Sequence, residues 1–431
     1  MAQGPLDADA SPDAATLTLQ ERINQAVQRI DADTCFLQTD TSACEWSDFE
    51  VGPAHFNMAV STGEAILVVD GFGAGLYPQF VRYRNRILGF YEVNGDSIEA
   101  RTLSVHLPKA LGESLISFAG PEFIPAKLLA PVGMAAGTIY RQVSLLFLGH
   151  GGVIFSHLVE LAPEQPLVLL ELTDLLDIPP ALCDRVDSGT LAVATAHFTA
   201  VAASIRQVMS QHNVRFVNAS FGTTTESLAM RWPTSCGGAA PSVDVLRQVI
   251  QVFDPVYDVL FHTEGVVTAQ AATNVGNPAD FPFDQVSPRF ANRIRVGFIS
   301  SQHSGLDELG RGTVQKVEQF PRDGDADVYL NWDCEAFVGC ADPHYEMAGN
   351  FGLLTVAVVL MSTSYINPLG IGRVINLRYA DHATEPMTDE LIQTLKQELT
   401  PPLCGGDGDQ PCVFQDPIVH RQLEVYRRHY Q

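Results

Sequence analysis

The sequence predicts an α/β fold with a mostly parallel central sheet covered by helices on both faces. Two observations carry this. Short continuous apolar runs alternate with longer segments of helical spacing, as they do when crossover helices join parallel strands. Several of those runs also end in turns bearing Gly, Asn or Ser, such as Asp70-Gly71-Phe72-Gly73 and Asn218-Ala219-Ser220. Open parallel sheets gather their sites beyond such strand ends. With 431 residues, 46% of them hydrophobic, the chain can bury one large core with trimmings.

The elements follow in order. Residues 17–30 (LTLQERINQAVQRI) have apolar positions at helical spacing. Residues 65–69 (AILVV) are a strand-length apolar run. Residues 143–148 are apolar and lead into Gly149-His150-Gly151, and 153–161 have helical character that stops at Pro163. Residues 167–172 (LVLLEL) read as a buried strand, 191–209 as a long helix rich in Ala and Val, and 214–217 as a strand. An amphipathic helix over 243–253 follows, then strands over 265–272 and 293–299. The pattern turns irregular over 300–349 and regular again at 353–360, before Ser362-Thr363-Ser364. Residues 388–399 (TDELIQTLKQEL) make a helix with Thr388 as its cap, acids in its first turn and Pro401 beyond it. Three regions emerge: an extension over 1–50 with one helix and a loop from Cys35 to Cys44, a main domain over 51–400, and a tail over 401–431 holding Cys404 and Cys412.

The net charge is −24, a field that repels nucleic acid and anionic membrane surfaces and favours cationic partners. No apolar run is long enough to read as a membrane span, so neither nucleic acid nor membrane insertion is expected. Oligomeric state is not legible. The eight cysteines include three pairs close in sequence: Cys35 with Cys44, Cys334 with Cys340, and Cys404 with Cys412. Cys183 and Cys236 are left over. Such short loops suit local disulfides in an oxidising compartment, and no C-x-x-C supports zinc. The first 16 residues have no apolar signal segment. The expectation is a secreted or periplasmic protein whose signal is not in the given chain.

The chain also offers every part of a serine nucleophile site: a hydroxyl to attack, an imidazole to move its proton, a carboxylate to orient the imidazole, and donors for an oxyanion. Each candidate alone has an ordinary reading. An Asp after a strand is a turn residue, Gly-His-Gly a loop, and Ser-Thr-Ser before a helix a cap. What gives them weight is their joint order.

In that order the segments resemble the subtilisin-like serine peptidases. ILVVDGFG resembles the aspartate strand, with Gly71 where the family has Thr or Ser. GHGGVIFSHLVELAP resembles the His-Gly-Thr-His segment and its helix, with Gly152 replacing threonine. STSYINPLGIG resembles the Gly-Thr-Ser-Met-Ala-x-Pro signature, with Ser362 replacing glycine and Pro368 in register. VRFVNASFG and GVVTAQAATNVG fall between them. The resemblance spans roughly residues 50 to 400. It implies a subtilisin-like three-layer fold and a triad of Asp70, His150 and Ser364. Asn274 would be the oxyanion residue, and Ser220, Phe221, Gly222, Ala272 and Thr273 would line the substrate groove. A sedolisin-like arrangement, with Glu for His150 and Asp for Asn274, does not fit. His157 reads as a packing residue.

The resemblance further implies an endopeptidase acting on a peptide or protein substrate, with no cofactor in the chemistry. Thr273, where the family has glycine, would narrow the S1 pocket and favour a small P1 residue. Structural calcium is common in the family. The alternating Asp323, Asp325 and Asp327 are weak metal candidates beside the reading as a solvated acidic loop. Two rivals stay open: a peptide-binding module that keeps the fold without activity, and a transpeptidase or cyclase using the same triad.

Overall fold

The computed structural model describes residues 17–37, 43–72, 78–136, 150–272, 277–285, 287–300, 315–316, 326–331, 363–399 and 413–414. The strands are β1 (Trp46–Val51), β2 (Ala65–Asp70), β3 (Ile87–Asn94), β4 (Ser97–Arg101), β5 (Leu103–Pro108), β6 (Leu167–Glu171), β7 (Val214–Ala219), β8 (Val267–Ala271), β9 (Arg293–Ser300), β10 (Gln315–Lys316), β11 (Val328–Asn331) and β12 (Val413–Phe414). The longer helices are α1 (Leu19–Asp31), α2 (Lys109–Ile116), α3 (His150–Leu161), α4 (Ser188–Gln211), α5 (Thr225–Cys236), α6 (Val243–Val249), α7 (Asp254–His262), α8 (Thr363–Asp381) and α9 (Asp389–Leu399).

The expected fold class is borne out. Strands run in the order β12-β11-β9-β8-β7-β2-β6-β3-β4, with β10 appended to β9. Neighbours from β12 to β3 are parallel, while β4 and β10 pair antiparallel. β1 and β5 form a separate antiparallel pair. β2 is buried along its whole length, which is why it reads as an unbroken apolar run rather than an alternating one. Alternation still decides its faces. Ile66 and Val68 pack with α1, α3, α8 and α9, whereas Ala65, Leu67 and Val69 pack with α4, α6 and α7. At about 1.5–3 kcal/mol for each large aliphatic chain taken from water, these two layers dominate the favourable side of folding.

The departures from expectation have local causes. Residues 87–108 hold three strands that the sequence leaves unread. β4 (SIEAR) has one buried residue and looks polar, as an edge strand should. Its hairpin turns through Gly95 at φ +58°, a left-handed value suited to glycine. α5 and α8 hold Pro233 and Pro368 in their interiors, whereas Pro255 sits in the first turn of α7, where its missing N–H has no intrahelical partner to lose. The helix expected over 243–253 is α6 followed by a 3-10 turn over Ile250–Phe253.

No unbroken apolar run is long enough to span a membrane in the sequence, yet α4, 24 residues long, is long and apolar enough to cross a bilayer by length and composition alone, a test that a core helix also passes. Here Ala194, Phe198, Val201 and Ile205 pack into the core along one face. Disulfides join Cys35 to Cys44 and Cys183 to Cys236, so the two leftover cysteines pair with each other, α5 ending at Cys236. Disulfides of this kind suit an oxidising compartment. The expected Cys334–Cys340 and Cys404–Cys412 pairs lie outside the described residues, as do the apolar runs at 143–148 and 353–360.

The strand order reverses at one point. The connection leaving β2 passes over the α3–α8 face, where Phe80 and Val81 are buried. The connection leaving β7 passes through α5, α6 and α7 on the opposite face. Adjacent strands whose chains depart to opposite faces leave a crevice at their carboxyl ends.

His157, on α3, is 2% exposed, and burial lowers its pKa from 6.5 to about 3. The folded state therefore refuses a proton that the unfolded chain accepts. Its share of stability is complete above pH 6.5 and falls by about 1.4 kcal/mol per unit as pH drops toward 3. His157→Leu should flatten the acid side of the stability–pH profile by about one proton's worth of slope, measured by denaturant unfolding between pH 7 and 4; an unchanged slope would contradict it.

Candidate active site

Asp70 ends β2 at the crevice and is 1% exposed. His150 opens α3. Its Nδ1 lies 2.7 Å from Asp70 Oδ1, and only the nitrogen can donate to a carboxylate. The imidazole keeps 35% of its side-chain surface open while Asp70 keeps 2%. The ring is thus reachable from outside and its carboxylate is not. Asp70 Oδ1 also accepts from the Gly71 N–H at 2.7 Å. Burial raises the Asp70 pKa above the usual carboxylate range; the His150 hydrogen bond and charge and the Gly71 N–H oppose this, and Glu171 adds to the rise.

A close backbone contact aims α3 at Asp70. Gly151 N–H donates to the Gly71 carbonyl at 3.2 Å. A Cβ on Gly151 would stand 2.6 Å from that oxygen and 2.8 Å from the Phe72 ring. A side chain there would push α3 away, so the glycine after His150 has a steric reason.

Ser364 is the second residue of α8. Pro368, four residues on, lacks the N–H that would meet the Ser364 carbonyl inside the helix. The Ser220 hydroxyl, just past β7, donates to that carbonyl instead, at 2.9 Å. Asn367 extends the tie. Its Nδ2 donates to Asn218 Oδ1 at 3.1 Å and to the Ala269 carbonyl at 3.0 Å, and Asn218 Nδ2 donates to Ser220 Oγ at 2.9 Å. The first turn of α8 is thereby fastened to the ends of β7 and β8. Tyr365, beside Ser364 in the chain, packs on the His150 ring with centroids 4.9 Å apart. Burial and the Asp70 charge raise its pKa.

The structure therefore brings Asp70, His150 and the Ser364 backbone to one crevice, with Ser220 beneath them. Phe221 is buried against Tyr257, Gly222 follows it, and Ala272 is buried at the end of β8. Thr273, Asn274 and Ser362 lie outside the described residues, as do Asp323 and Asp325. Asp327 accepts the Arg295 backbone N–H at 2.7 Å and has the Arg295 guanidinium Nε at 3.9 Å. Among the described residues no cluster of His, Cys, Asp or Glu is arranged to hold a metal ion.

Four residues went unread in the sequence. Asn218 reads as part of a turn at a strand end and is a buried strut. Asn367, Tyr365 and Glu171 have no role legible in the sequence. Glu171 alone carried a signal, being a lone acid inside an apolar strand (LVLLEL).

Ser220→Ala removes the hydroxyl donated to the Ser364 carbonyl and should lower the unfolding free energy by about 1–3 kcal/mol. Adding Pro368→Ala restores an N–H to that carbonyl. The double variant should therefore lose less than the sum of the two single losses in denaturant melts. Strict additivity would show that the proline and serine are not coupled.

Comparisons with known proteins give little. No family model matches the chain, and no curated protein matches it. One solved structure is similar: Pseudomonas sedolisin (serine-carboxyl proteinase), complexed with two molecules of pseudo-iodotyrostatin, at 11% identity, covering 88% of this chain and 98% of that one, with a TM-score of 0.31.

Proposed function

We propose that the protein is a subtilisin-like serine peptidase with Asp70, His150 and Ser364 as its triad. The observation that carries the reading is the 2.7 Å contact between buried Asp70 and half-open His150 at the strand-order reversal. The Ser364 turn is clamped beside it. In this mechanism the Ser364 hydroxyl attacks the peptide carbonyl. His150 takes its proton through Nε2 and returns it to the leaving amine, while Asp70 holds the tautomer and stabilises the imidazolium. Backbone N–H groups in the first turn of α8, with Asn274 as the side-chain donor, would stabilise the developing oxyanion. No cofactor has a part in these steps. The substrate is a peptide or protein, and a net charge of −24 favours cationic partners. The two disulfides agree with a secreted or periplasmic protein.

A fluorophosphonate probe should label the wild type covalently and fail to label Ser364→Ala. Asp70→Asn should slow labelling by roughly 10³- to 10⁴-fold, the loss expected when the imidazole tautomer is no longer held. Failure of the folded wild type to label would instead favour the peptide-binding module. Digestion of a peptide library should show cleavage after small residues, since Thr273 would narrow the S1 pocket. Preference for large aromatic P1 residues would refute that assignment, and products with joined ends would mark an acyl transferase.

A further inference from the structure

β6 runs parallel beside β2, and its last residue, Glu171, is the register partner of Asp70. Two acids thus stand side by side at neighbouring strand ends, 1% and 6% exposed. Burying both is costly unless each has its own donors. Asp70 spends one oxygen on His150 and Gly71 N–H; its Oδ2 is buried and accepts no hydrogen bond from a described residue. Glu171 spends both of its oxygens on the turns around the site. Oε2 accepts the Phe72 N–H at 2.7 Å, and Oε1 accepts the Thr173 N–H at 3.0 Å and its hydroxyl at 2.7 Å. The strands are further joined by Leu172 N–H donating to the Asp70 carbonyl at 2.9 Å.

The segment Glu171 grips is the one on which α3 docks. Gly71 supplies the carbonyl that meets Gly151 N–H, and Phe72 supplies the ring against which Gly151 is packed. A Cβ on Gly71 would lie 3.9 Å from Glu171 Oε1, so the glutamate lies against the same turn. Among the described residues, the charged and titratable groups facing the His150 ring are Asp70 from β2 and Tyr365 from α8, and Glu171 from β6 is the neighbour of Asp70.

We infer that Glu171 is a positioning residue for the Asp70–His150 pair: its carboxylate holds the 70–72 turn on which α3 docks, and its negative charge backs Asp70 in stabilising the imidazolium. The catalytic part of this inference rests on the peptidase reading; the part concerning the Asp70–His150 pair does not. Glu171→Gln removes the charge and replaces one acceptor oxygen with a donor that cannot meet an N–H. Glu171→Asp keeps the charge but withdraws the carboxylate by one methylene.

The deciding measurement is the titration of the His150 ring, followed by NMR in the full chain with labelled histidine and assigned by the signal lost in His150→Ala. In Glu171→Gln the midpoint should move to lower pH, and probe labelling at neutral pH should slow by roughly tenfold or more, as small displacements of catalytic groups do. Glu171→Asp should keep a wild-type midpoint and lose labelling rate, which separates position from charge. A wild-type His150 midpoint in Glu171→Gln overturns the inference. If Glu171→Gln does not fold, a wild-type labelling rate in Glu171→Asp overturns it. A wild type that takes no label, with the midpoint still falling in Glu171→Gln, defeats the peptidase reading and leaves the role of Glu171 at the pair standing.

Discussion

The chain leaves β2 and β7 toward opposite faces of the sheet, and the rest of the molecule is organised around that divergence. Two adjacent parallel strands normally hand their chains to helices on one side and close over their own ends. Here the β2 connection goes to the α3–α8 face and the β7 connection to the α4–α7 face. The ends of the two strands therefore stay uncovered between the layers. Asp70 and Ser220 occupy those ends. A buried carboxylate and a buried hydroxyl at the same opening are tolerable only with partners, and α3 and α8 deliver them.

Each helix reaches the opening through a backbone irregularity. α3 comes close because Gly151 has no Cβ to strike the Gly71 carbonyl. α8 is bound where Pro368 offers no N–H to the Ser364 carbonyl, which accepts the Ser220 hydroxyl. A proline inside a helix costs about 3 kcal/mol in the abstract. In this place the missing N–H becomes an attachment point between helix and sheet. The polar set Asn218, Ser220 and Asn367 is buried and bonded to itself and to Ala269, while Asn367 Oδ1 accepts no hydrogen bond from a described residue.

The electrostatics obey the same geometry. Burial lifts the Asp70 pKa, and the imidazole hydrogen bond pulls it back. Burial also lowers His157 seven residues along α3, so the two histidines of one helix meet opposite circumstances. His150 is half open at the helix start, beside an acid. His157 is enclosed and has burial as the cause of its shift.

Periodicity and strand-end chemistry made the fold class readable, because an apolar run and its terminal turn are local facts. Ala65 to Asp70 declares a buried strand ending in an acid without reference to anything else in the chain. The order of Asp70, His150 and Ser364 was equally local, being three short segments. What the sequence could not hold was pairing at a distance. Glu171 grips Phe72 across 99 positions and Ser220 meets Ser364 across 144, and neither pair has a spacing that announces it. Pro368 and Pro233 disfavour a helix in isolation, and tertiary contacts offset that cost. So the sequence alone determined the α/β class, with its mostly parallel sheet covered by helices, and most of the strands at its centre. Only the tertiary structure decided which carbonyl lacks an N–H, which glycine must stay bare, and which second acid stands behind Asp70, because each depends on atoms brought together by strands far apart in the chain.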